Sequence, residues 1–441
     1  MKINNIKKLK NFKWSLWFSL CFLSLVPTIY QTIRTSLISN YVNDFDIIGQ
    51  MEWYDLIDET LKALLIVPLY SIMNKIIKED RIKASFLTFK IMIIVFVIYL
   101  LFNIGIFIYG KSLISFMNPN NTDILSITIY LELETIAFII GIIPTFFNVV
   151  FVVNNKAKNI YFFLIIQVTC GIISDFILIP TFGVNAIAFG NMISNAFLSV
   201  IGYIVLKNQH LVKLSKFCKS DFAIITNWFK IGIFSSLQQF IDNIVYALMI
   251  SRLVNSVFEQ GNYWLANNFI WGWLLIPVSA LSEVIKSEAK FNKFSYLNYY
   301  LILLGIFIAW GITLPGWLPF LTKIENISNS KTIFDIIIRL VPFYIAYGLC
   351  IIPDSIFIGE GQTYLNMINS IIVNFIYYGI WFFMFINKKI NFNLTIIILM
   401  FGFGMVVHMF ISYMEFILYK KQIRLLKPND SLLYESEKII K

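Results

Sequence analysis

Apolar runs of about 20 residues alternate with short polar or basic turns along the whole chain, the pattern of helices that cross a membrane. Hydropathy and turn residues predict twelve such spans. The first six are Trp14–Tyr41, Met51–Asn74, Phe86–Tyr109, Ile124–Val153, Ile160–Pro180 and Asn185–Leu206. The second six are Asp221–Leu253, Gly261–Val284, Ser295–Leu321, Thr332–Ile358, Thr363–Ile386 and Leu394–Leu418.

Polar residues inside these runs are not scattered. In the stretch Ile231–Lys286, which opens the second half, Ser235, Gln238, Gln239, Asp242 and Tyr246 recur at three- and four-residue steps. They therefore share one helical face, with Asn243 beside them. An ionised Asp is costly in hydrocarbon, so Asp242 is expected to face a polar interior or water. Trp264, Asn267, Asn268 and Trp271 share a face of the next span, and Pro277 interrupts its apolar run. In the second span Asp55, Asp58, Glu59 and Lys62 form a single stripe, read either as an ion-pair ladder or as an inward-facing cavity wall.

The first span places Pro27, Gln31 and Arg34 on one face, and the fifth adds Gln167, Ser174 and Asp175. Arg34, Asp58 and Asp175 fall at similar depth. Arg34 is therefore expected to contact Asp58 or Asp175, since an unpaired Arg there is unfavourable. On the tenth span Arg339 and Tyr347 share a face, with Arg339 at the depth of Asp242. A salt bridge between those two is the alternative to an ion-binding Asp242. Asp354 reads as a helix-end group and is also counted among the cavity candidates. Glu132, Glu134, Glu283, Glu288 and Glu415 read as interfacial, and His408 as a packed, hydrogen-bonded residue.

Composition sharpens the class. Of 441 residues, 58% are hydrophobic and 14% charged, against roughly 25% charged in soluble domains. The net charge of +10 follows Lys and Arg at loop positions, so it speaks for topology before any nucleic-acid partner. Lys75, Lys78, Arg81, Lys83, Lys156, Lys158, Lys207, Lys213, Lys286 and both basic tails lie on one side, which places both termini in the cytoplasm. Lys388 and Lys389 are the exception. No G-x-x-x-x-G-K-[ST] loop appears, so pumping would draw on an ion gradient. Cys21, Cys170, Cys218 and Cys350 have no metal-ligand or disulfide spacing.

The halves read as copies. Pro68 and Pro277 sit in similar contexts in the second and eighth spans, as do Pro144 and Pro353 in the fourth and tenth, and both pairs have the same separation. With Pro27 these are the expected helix-bending residues. Six helices plus six implies a parallel repeat, an arrangement that places a transport site between two halves.

The run SDFILIPTFGVNAIAFGNMIS, from Ser174 to Ser194, resembles the fifth-to-sixth helix junction of multidrug and toxic compound extrusion (MATE) transporters. The stretch from Ile231 resembles that family's seventh and eighth helices, and Pro27 to Gln31 its first. The resemblance implies an all-α membrane fold of twelve helices in two pseudo-symmetric six-helix lobes, V-shaped around a central cavity. It implies a cell-membrane antiporter that expels organic cations in exchange for Na+ or H+. Asp242 falls at the family's seventh-helix ion-coupling acid, a possible Na+ site, and Asp175 at its fifth-helix acid. The first-helix Asp has no counterpart. Tyr347 lies near the place of the tenth-helix acid, with Asp354 about two turns later. Flippases for lipid-linked oligosaccharides in the same superfamily hold pyrophosphate with Arg, so a flippase is the alternative. A membrane-embedded enzyme or receptor is a third class, for which no nucleophile–base or metal constellation appears.

The expected organisation is a basic tail (1–13), a lobe (14–206), a linker (207–220), a second lobe (221–419) and a tail (420–441). No cofactor is expected, nor nucleic acid. The partners are a small molecule, Na+ or H+ and the bilayer, and the chain is expected to be a monomer. The cavity candidates are Arg34, Gln31, Asp58, Glu59, Gln238, Gln239, Asn243, Tyr246, Asn267, Trp271, Arg339, Tyr347 and Asp354.

Overall fold

A computed structural model describes residues 12–42, 45–79, 81–118, 123–154, 156–215, 221–288 and 296–426. Most of both tails, linker residues 216–220, Cys218 and the side chain of Ser235 lie outside what is described. Among the described residues the helices can be grouped into twelve successive rods, with no strand. They are α1 (Trp14–Tyr41), α2 (Glu52–Glu79), α3 (Arg81–Met117), α4 (Ile124–Val153), α5 (Ala157–Phe182) and α6 (Asn185–Asn208). Then come α7 (Asp221–Tyr246, running on through Ala247–Ser251 and Arg252–Ser256), α8 (Gln260–Phe269, Ile270–Leu274 and Ile276–Glu288) and α9 (Tyr296–Lys323). The last are α10 (Ser330–Glu360), α11 (Thr363–Ile371, Ile372–Tyr378 and Gly379–Ile386) and α12 (Leu394–Leu426). A short helix, Asp46–Gln50, joins α1 to α2.

Among the described residues nine helices are long and apolar enough to cross a membrane, and the two pieces of α8 would make a tenth. The chain is a multi-pass membrane protein. The rods α2 and α7 fall outside that set; α2 begins with Glu52, Asp55, Asp58, Glu59 and Lys62. Rod ends follow local chemistry. Asp123 accepts a hydrogen bond from the Ser126 amide at the start of α4. Gly361, left-handed at φ 81°, closes α10 as only glycine does readily.

Among the described residues, wide i→i+5 turns interrupt the rods at Ala247–Ser251, Ile270–Leu274 and Ile372–Tyr378, all three in the second half. The two pieces of α8 bend by 52° beside Pro277, as expected of that proline. Pro27, Pro68, Pro144 and Pro353 lie inside helices that run on past them.

Within the first half α6 packs on α4 and α5, α3 on α4, and α1 on α5. Within the second, α10 packs on α8, α9 and α12. The halves meet where α2 lies along α7 and α1 along α8. At the face away from the chain termini they are tied together. Ser39 Oγ donates to the Asn326 carbonyl, Asn326 Nδ2 donates to Asn40 Oδ1, and Asn255 donates to Asn118. There Gly49 abuts the Gln260 carbonyl, where a Cβ would come within 2.5 Å, so a larger residue would pry the halves apart. Nearer the termini, Trp17 Nε1 donates to the Pro277 carbonyl at 3.0 Å, and Trp228 Nε1 to the Leu65 carbonyl at 3.1 Å.

Candidate functional site

Two carboxylates inside the first half, Asp175 and Asp58, are paired with cations. Arg34 Nε donates to Asp175 Oδ2 at 2.8 Å, and Asp175 is fully buried. The guanidinium also reaches Asn191 Oδ1 at 3.2 Å and the Tyr30 hydroxyl, while Tyr30 donates to Asp175 at 3.0 Å. Tyr30 and Arg34 are one turn apart, so α1 offers both to α5 on a single face. Asn191 turns its amide to Glu134 at 3.0 Å. The expected Arg34–carboxylate contact thus exists, with Asp175. Asp58 instead takes Lys62 at 2.5 Å and the Tyr99 hydroxyl. Glu134 is buried in this network and is not interfacial.

Charge in the second half is held differently. Asp242, near the end of the α-helical part of α7, accepts from Asn374 Nδ2 at 2.6 Å and from the Ser370 hydroxyl. Gln238 also reaches it. Ser370 and Asn374 are one turn apart on α11, and Asn374 sits in the wide turn. Asp242, Tyr246, Trp271, Tyr347, Asn374 and His408 line a cavity of about 250 Å³. Arg339 does not pair with Asp242. It is exposed and donates to Thr395 Oγ1 at 3.0 Å.

The face predicted from Ser235 to Tyr246 divides. Asp242 and Tyr246 turn into the second half, whereas Asn243 donates to the Leu56 carbonyl at 3.1 Å and to Thr60 Oγ1 at 3.0 Å across the junction. Asn243 and Gln239 also reach Glu59, which with Asp55 lies on the exposed side of α2. The side chains at 239 and 243 project one residue around the helix from those at 238 and 242, which is enough to give them to the other half.

Above Asp242 a polar cluster bridges the halves. Ser251 Oγ donates to Glu52 Oε2 at 3.2 Å. Asn267 Nδ2 donates to the Tyr246 hydroxyl at 2.7 Å and stands 3.4 Å from Glu52 Oε1. Tyr344 donates to Asn267 Oδ1 at 3.3 Å and accepts from Trp271 Nε1 at 3.2 Å. Trp271 packs edge-on against Tyr347. Gln31 is half-buried on α1.

Asp354 is not a free helix-end group. Its carboxylate lies 2.9 Å from His408 Nε2 and accepts from Ser412 at 2.7 Å. Sequence reasoning missed Tyr30, Asn191, Glu52, Ser370, Asn374 and Tyr344. The available signal was the one-turn spacing of Tyr30 with Arg34 and of Ser370 with Asn374.

No family model and no curated protein matches the sequence. Solved structures do match in fold. A multidrug resistance MATE family transporter of the MOP superfamily in an inward-facing conformation overlays with a TM-score of 0.75 at 16% identity, over 94% of this chain and 99% of that one. An outward-facing structure of such a transporter gives 0.66 at 17%, over 97% and 99%. A MOP superfamily transporter from Pyrococcus furiosus, whose reversed binding-pocket polarity suggests a different function, gives 0.67 at 16%, over 95% and 98%. The chain has the fold of the MATE transporters that its sequence resembles.

Proposed function

We propose that this chain is a secondary active transporter that exports organic cations in exchange for Na+ or H+, with Asp242 as the coupling group. The observation that carries the reading is the setting of Asp242. It is a half-buried carboxylate lining a cavity, hydrogen-bonded by the neutral groups of Ser370, Asn374 and Gln238. Such a group has a place for a mobile positive charge. A proton fits directly. Na+ would take oxygen from Asp242, Ser370 and, with its amide turned over, Asn374.

Alternating access then follows. The higher overlay with an inward-facing relative supports a state that faces the terminus-bearing side, where Trp17–Pro277 and Trp228–Leu65 still join the halves. The basic loops support reading that side as the cytoplasm, where substrate would enter; a monomer in the plasma membrane is part of the same proposal. After the switch, an ion from outside neutralises Asp242 and favours release. Asp55 and Glu59 on exposed α2 give the junction acidic character suited to a cation. Arg34, which a flippase would use for pyrophosphate, is neutralised by Asp175. Asp175 can join coupling only when Arg34 lets it go.

The test is transport in proteoliposomes under imposed Na+ or H+ gradients, with a fluorescent organic cation as cargo. Wild type should move the dye, and Asp242→Asn should lose gradient-driven movement while remaining folded. Unchanged gradient-driven transport by Asp242→Asn would overturn the assignment. Movement of a lipid-linked saccharide, with no movement of dye, would move the chain to the flippase class.

A further inference from the structure

The second half carries another set of donor atoms beside Asp242. Cys350 and Asp354 are four residues apart on α10 and rise from one face of it. His408 meets them from α12. Cys350 Sγ, a carboxylate oxygen of Asp354 and a ring nitrogen of His408 all lie within 4.8 Å of one another. Cys350 is buried, and the other two are half-buried. The second oxygen of Asp354 is fixed by Ser412, whose hydroxyl accepts from Asn369 Nδ2 at 2.6 Å. Asn369 also donates to the backbone carbonyl of His408 at 3.2 Å. Cys350 and His408 both line the cavity next to Asp242.

We propose that Cys350, Asp354 and His408 form a site for a borderline divalent transition metal of the Zn2+ class, with its fourth position open to that cavity. Thiolate, imidazole and carboxylate together select such an ion, whereas Na+, Mg2+ and Ca2+ favour oxygen alone. Bond lengths of about 2.0–2.3 Å in tetrahedral geometry put neighbouring donors about 3.3–3.7 Å apart. His408 and Asp354, now 2.9 Å apart, need open only by a few tenths of an ångström. Binding releases the thiol proton through the cavity, leaving thiolate and carboxylate to balance the dication. Ser412 and Asn369 act as the outer partners that keep the ligands aimed. The site stands whether or not the chain transports anything.

Co2+ is the probe. The full-length, reduced, tag-free protein in detergent micelles is titrated with Co2+ and read by absorbance. The expected result is a near-ultraviolet thiolate-to-cobalt band with visible four-coordinate bands, all displaced by Zn2+. Cys350→Ser should abolish the near-ultraviolet band, and His408→Asn should weaken Co2+ binding roughly tenfold or more. Changing Cys21, Cys170 and Cys218 together to Ser should leave the spectrum intact. The proposal is overturned by the absence of these bands in monodisperse wild-type protein. A band that survives Cys350→Ser, or one that disappears in the triple variant, would overturn it equally.

Discussion

The two halves hold an inward-facing carboxylate in opposite ways. In the first, Asp175 is matched by a tethered cation, Arg34, with Tyr30 completing the set. In the second, Asp242 is met by the hydroxyl and amides of Ser370, Asn374 and Gln238. A charge answered by a fixed cationic side chain is part of the scaffold. A charge answered by neutral donors leaves room for a cation that comes and goes. Two similar rods can therefore carry one structural and one exchangeable acid, and the partner decides which is which.

The contrast can be broken most forcefully at Arg34. Arg34→Ala leaves Asp175 buried without its cation and should lower unfolding stability by about 3–5 kcal/mol. Thermal unfolding in detergent would read this as a large fall in Tm. Replacing both partners by leucine should recover most of it, because an apolar pair of similar volume is tolerated. A single variant as stable as wild type would end the claim that this pair is scaffold.

The cluster between the halves should rank next. Asn267→Ala deprives Tyr246, Tyr344 and Glu52 of a shared partner. The expected loss is about 1–3 kcal/mol, the penalty for buried polar groups left unmatched. Guanidinium or thermal melts would measure it, and Trp271 fluorescence should shift because its indole bonds Tyr344.

Asp242→Asn should be gentler, since an amide can keep its hydrogen-bonding neighbours. Stability should change by about 1 kcal/mol or less. The pairing of a mild melt with lost coupling is what separates an exchangeable acid from a scaffold acid. A drop as large as that of Arg34→Ala would erase the difference between the halves.

A separate, pH-dependent effect is expected at Glu325, in the loop between α9 and α10. Burial pushes its carboxyl up to about 7, with a Thr32 hydrogen bond opposing the rise. The folded junction therefore favours the protonated form. Its stabilisation is fullest below the ordinary value of 4.5 and is lost as pH rises towards about 7. Spin labels at Tyr41 and Lys331 should report a tighter distance at low pH, and Glu325→Gln should flatten that dependence.

Much of this frame was legible in the sequence, for definite reasons. The bounds of Trp14–Tyr41 and Ile124–Val153 coincide with the observed helices, because apolar runs end there at polar turns. The third rod is longer than its hydrophobic core, since its flanks in Arg81–Met117 stay helix-compatible. The Arg34 contact was legible because an ionised group inside a membrane must find a counter-charge at its own depth. Ser370 and Asn374 were not, since neutral polar residues in a span have no obligatory partner. His408 and Asp354 lie 54 residues apart on separate rods, and no spacing rule joins them. The wide turns leave no mark in composition either.

Those turns have a mechanical meaning. Each holds one residue more than an α-turn and so acts as a phase slip in the screw of its rod. If the slip moves along by a turn, the residues it passes rotate by about 100° while the rod ends stay anchored. Trp271 and Asn374 lie within two of these slips, and Asp242 sits one turn before the third. The second half can thus re-aim its cavity wall from within, as a twisted cable turns one strand without pulling at its terminals.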